Sequence, residues 1–74
     1  MLDAEGSRMK LHVDVQADAL YLKLTDAKIV ETSEVCPGIM FDYDEHGEVV
    51  GVEVLGLRVR KTPIDVRSFE FKQS

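Results

Sequence analysis

The side chains that usually carry chemistry are scarce in this chain. Cys36 is the only cysteine in 74 residues. That excludes a disulfide within one protomer and fits a reducing, cytoplasmic setting. No lysine, arginine or helix start stands beside Cys36 to activate its thiol, so it reads as an inert small hydrophobe. Histidine occurs twice, as His12 and His46, with no cysteine pair, and no zinc-ligand spacing results. The serines lie in polar stretches without the strand-turn-helix setting of a nucleophile. No apolar run approaches the 18 residues of a bilayer-spanning helix. Residues 1–8 lack the apolar centre of a secretory signal and read as a flexible extension ahead of one small domain, residues 9–74. Basic charge is also short: 9 Lys and Arg stand against 14 Asp and Glu, a formal charge of −5. Such a balance opposes a phosphate backbone and argues against direct nucleic-acid binding. It suits a basic protein partner.

What the chain does have is period two. Leu11, Val13 and Val15 alternate with Lys10, His12 and Asp14. Leu20, Leu22 and Leu24 alternate with Tyr21, Lys23 and Thr25. Both patterns predict half-buried strands, with a polar turn at Gln16-Ala17-Asp18 between them. A weaker extended segment, residues 29–35, is expected at a sheet edge, where its polar residues discourage unwanted pairing. Cys36-Pro37-Gly38 breaks it. Ile39, Phe41 and Tyr43, then Val50, Val52 and Val54, repeat the alternation. The expected fold is mainly β, or α+β if the tail is helical. It is a small antiparallel meander of four or five strands, with a short helical turn near Pro63. Phe69 and Phe71, two apart, suggest instead a final strand or a docking tail.

The acidic stretch between the last two strands supports two readings. Asp42, Asp44, His46, Gly47, Val49 and Glu53 fall on the first, third, fifth, sixth, eighth and twelfth positions of a helix-flanked calcium loop. Imidazole is a poor ligand for a hard cation, however. The flanks also alternate as strands rather than helices, which carries Glu53 away from the turn. The favoured reading is a hairpin turn with Gly47 at positive φ beside a bulge, and no metal. No cofactor is expected, since the glycines form no phosphate-cradling loop. Paired carboxylates need a cleft to act as acid or base, and a sheet this small does not supply one alone.

Asp18-Ala19-Leu20-Tyr21-Leu22, taken with the stretch from Gly38 to Leu55, resembles a widespread prokaryotic family, the domain of unknown function 2283. The resemblance covers about Lys10 to Gly56. It implies a compact β-rich domain with no assigned activity. The family's association with small toxin-like genes implies an antitoxin-like, partner-binding role.

Together these readings predict a non-enzymatic, self-associating protein-binding module, a dimer or larger. Tyr21, Asp42, Tyr43, Asp44, His46 and Glu53 are its candidate contact residues. The alternative is a small-ligand or enzyme site formed between subunits around Asp42, Asp44, His46 and Glu53.

Overall fold

A computed structural model describes residues 8–74. Of the extension expected over residues 1–8, all but Arg8 therefore lies outside the described residues. The alternating segments form five strands: β1 (Lys10–Asp14), β2 (Ala19–Lys23), β3 (Glu31–Cys36), β4 (Ile39–Tyr43) and β5 (Val49–Leu55). They make one antiparallel sheet in the order β1-β2-β5-β4-β3. The third strand begins two residues later than its pattern suggests and takes in Cys36. That cysteine is exposed on the edge strand, not packed as a small hydrophobe.

The meander is interrupted once. β1-β2 is one hairpin and β3-β4-β5 a second unit, and the two join where β2 pairs with β5. Residues 24–30 carry the chain to the far edge. Three strand spacings are about 14 Å, within reach of seven extended residues. The longest strand, the valine-rich β5, thus lies at the centre, where β-branched side chains pack on both neighbours.

Each turn follows from its residues. The Asp14 carboxylate accepts the Ala17 N–H at 3.1 Å. Asp18 then takes φ +56°, a left-handed conformation that aspartate tolerates better than most residues. Pro37-Gly38 turns β3 into β4 with Gly38 at φ +84°, as proline followed by positive-φ glycine favours. Gly47, at φ +78°, closes the acidic turn. The register shifts beside it, where Asp42 faces Gly51 but Tyr43 faces Val49. Val50 is the extra residue of the bulge expected there.

Pleating sorts the side chains onto two faces. Leu11, Leu22, Val52 and Phe41 form one apolar row, and Val13, Leu20, Val54 and Ile39 the next. No second sheet or helix lies over them among the described residues. Among the described residues the only buried apolar side chains are Ala19, Val50 and Leu57, and no large side chain is wholly enclosed.

The tail gives partial cover. Neither the helical turn near Pro63 nor a final strand forms. One turn alone has no helical hydrogen bonds to propagate, and Pro63 contributes no N–H. Instead the Ile64 N–H returns to the Leu57 carbonyl at 3.1 Å. Ile64 and Val66 then line a small cavity together with Leu11, Val13 and Leu20. Phe69 and Phe71 stay exposed. No helix of the described residues is long and apolar enough to cross a membrane.

Candidate functional site

The polar face holds the densest side-chain network. Tyr21 stands opposite Glu53, and Asp42 stands opposite Gly51, two residues away along β5. The Tyr21 ring leans over Gly51, and its hydroxyl donates to Asp42 Oδ2 at 2.7 Å. From the outer strand, Thr32 Oγ1 donates to Asp42 Oδ1 at 2.6 Å. Both carboxylate oxygens are therefore engaged. Only a residue without a side chain allows this crossing. A Cβ on Gly51 would run into the Tyr21 hydroxyl, lie 2.8 Å from Tyr21 Cζ and come within 3.1 Å of Asp42 Oδ2. Burial of the Tyr21 hydroxyl, the Asp42 hydrogen bond and the charges of Asp42 and Glu53 push its pKa up to about 12. Tyr21 therefore keeps its proton, and acts as a donor, throughout the neutral range.

A second carboxylate organises the acidic turn. Asp44 Oδ1 accepts the N–H groups of His46 at 2.8 Å and Glu48 at 3.0 Å. Those bonds, the Glu48 N–H first, hold its carboxyl below the ordinary range. His46 points outward, with Nε2 3.6 Å from Glu45 Oε2. Tyr43 turns to the apolar face, edge-on to Phe41 with ring centroids 6.4 Å apart.

The expected contact residues thus divide three ways. Tyr21, Asp42 and Glu53 share the polar face, Asp44 and His46 belong to the turn, and Tyr43 lies behind the sheet. Beside Tyr21 and Glu53 runs a shallow groove of about 150 Å³, bordered by His12, Asp14 and Leu55. Among the described residues no group of three or more His, Cys, Asp or Glu is arranged to hold a metal ion.

Sequence reasoning missed the clamp between the β1-β2 turn and the tail. Asp18 receives the Arg58 backbone N–H at 3.0 Å on Oδ2 and Arg58 Nε at 2.9 Å on Oδ1. Its own carbonyl accepts the Leu57 N–H at 3.1 Å. Arg58 reads in the sequence as part of a solvated run with Arg60 and Lys61. No local signal links it to a residue 40 positions earlier. The two Arg58 hydrogen bonds, the backbone one foremost, lower the Asp18 carboxyl below its usual 3.8.

A depressed folded pKa adds stability that is present above the unfolded value and lost as pH falls through the folded one. Melting temperature should therefore fall as pH drops below about 4. Asp18→Asn should flatten part of that slope and speed proteolysis after Leu57. Thermal melts between pH 2 and 6, paired with limited proteolysis, measure both. An unchanged slope and cleavage pattern would contradict the clamp.

Comparison with known proteins adds one finding. The family model described as "Protein of unknown function (DUF2283)" matches residues 10–58. The match ends at the arginine held by Asp18. No curated protein and no solved structure matches this chain.

Proposed function

The chain belongs to the DUF2283 family, and from that starting point we propose that it is a self-associating, protein-binding module without catalytic activity. One observation carries the reading: the sheet has a face that is apolar across the four strands β1, β2, β5 and β4, and among the described residues no second layer of secondary structure covers it. Of its 74 residues, 23 are Lys, Arg, Asp or Glu. Yet across β1, β2, β5 and β4 the two central rows of this face contain only Leu, Val, Ile and Phe, with Ser33 and Cys36 at their β3 ends. Five strands of about five residues span about 24 by 17 Å, or about 400 Å². The tail shields part of the β1-β2 end and Glu31 and Ser33 lie at the β3 end; the apolar area left open between them is the kind of surface that marks an interaction site. Two such faces stacked about 10 Å apart make a sandwich, the usual cover for a one-sided sheet. A small domain gains most from such cover, because its own core is slight.

The polar side supports the non-catalytic part. The Asp42 oxygens are taken by Tyr21 and Thr32, and Asp44 by turn backbone. Neither is poised over an enclosed cleft. The formal charge of −5 suits a basic protein as a further partner, and an antitoxin-like masking of such a protein is one form this takes. Sedimentation velocity over a hundredfold concentration range is the direct test. A concentration-dependent dimer or larger species is expected, and a monomer at every concentration would sink the reading.

A further inference from the structure

We infer that a second copy of this chain pairs antiparallel with the open edge of β1, joining two sheets into one of ten strands. This specifies a contact for the self-association proposed above and rests on that reading.

The hydrogen-bond pattern shows which groups are available. The Leu24 N–H donates to the Val50 carbonyl at 2.9 Å, and the Asp18 carbonyl accepts from Leu57. Even-numbered residues of β2 therefore aim their backbone toward β5, and Ala19, Tyr21 and Lys23 aim theirs toward β1. Their partners there are Asp14, His12 and Lys10. The N–H and C=O groups of Leu11 and Val13 consequently point outward. Among the described residues no backbone bond reaches that edge; the tail bonds to itself and to the β1-β2 turn.

The strand is complementary to itself. An antiparallel pairing centred on His12 sets Leu11 against Val13 of the second copy, and Val13 against its Leu11. Both are hydrogen-bonded positions, so four N–H···O=C bonds form. On the polar face Lys10 meets Asp14 of the second copy, and Asp14 its Lys10. Both opposite-charge pairs arise from one five-residue strand, Lys-Leu-His-Val-Asp. On the apolar face the exposed edge side chains Met9 (62%), Leu11 (44%) and Val15 (67%) gain neighbours. This edge carries no proline and no bulge, and its two charges are of opposite sign, so they match rather than repel a second copy. The opposite edge, β3, has two protections against pairing: a register shift between Glu34 and Cys36, and two glutamates with no basic residue.

Val13→Pro tests the contact. Its N–H serves no bond within the sheet, so an edge strand tolerates proline there while the outer ladder is lost. Association should weaken about 30-fold or more in sedimentation, with unchanged circular dichroism. Lys10→Asp sets like charges opposite each other across the axis and should weaken it about tenfold. Because Lys10 faces Lys23 within the sheet, that change removes one like-charge pair from the isolated fold while losing the attraction of Lys10 for Asp26. The swap Lys10→Asp with Asp14→Lys should restore association.

Folded Val13→Pro with wild-type association overturns the inference. Should Val13→Pro not fold, wild-type association of Lys10→Asp overturns it instead. A charged substitution at Val52, on the apolar face, separates the two contacts. If it alone disrupts association, the edge contact fails and the face reading stands. If only the β1 variants disrupt association, the edge contact stands and the face reading fails.

Discussion

Gly51→Ala should destabilise the domain by about 2 kcal/mol, a fall in melting temperature of about 8 to 16 °C. The sign is the informative part. Alanine replacing glycine within a strand ordinarily helps by about 0.5–1 kcal/mol, because the unfolded chain has less freedom to lose. Here the new methyl meets the Tyr21 hydroxyl and ring. The ring must swing aside, which ends its bond to Asp42 and leaves a half-buried carboxylate short of one donor.

Two comparisons isolate the cause. Tyr21→Phe should cost about 1 kcal/mol, the net worth of one hydrogen bond. In a Tyr21→Ala background, Gly51→Ala should cost little or become favourable, a strongly non-additive cycle. Thermal melts of the four proteins decide. A neutral or stabilising Gly51→Ala in the wild-type background would remove the ring-over-glycine packing from the account.

Val52→Glu should weaken self-association about 100-fold or more, because an unpaired carboxylate would be buried against the second copy. Val52 lies between Leu22 and Phe41 in the middle of the apolar rows. It is only half-buried in one copy, so the fold itself has room for the change. The expected result is a folded chain with native circular dichroism and a lower sedimenting mass. Equal mass at equal concentration for wild type and Val52→Glu would show that this face does not meet another copy. Phe41→Ala offers a milder check, since it removes apolar area without adding charge; an intermediate loss is expected.

These outcomes bear on different halves of the molecule. The Tyr21-Asp42-Thr32 network ties β2, β4 and β3 together across β5, so its loss is read in stability. The apolar face and the β1 edge lie at the periphery of one copy, so their loss is read in assembly. A variant that changes both at once would show that folding and association are coupled, as in small domains that complete their core with a partner.

Strand alternation by itself determined an antiparallel class of four or five strands, the division of residues between two faces and the hairpin geometry at Gly47. Period two and positive-φ glycine are local properties, legible in any stretch of chain that has them. The same locality made the resemblance of Asp18-Ala19-Leu20-Tyr21 and the acidic hairpin to the family readable. Only the tertiary structure decided that β5 pairs with β2 rather than leaving a simple meander. Only it brought Asp18 to Arg58, and Tyr21 across Gly51 to Asp42. Those contacts join residues 21 to 40 positions apart, and spacing along a chain says nothing of which strands become neighbours. The tail escaped prediction for a related reason. Its proline and paired phenylalanines favour no single regular structure, so its path is set by where Asp18 and the apolar face happen to lie.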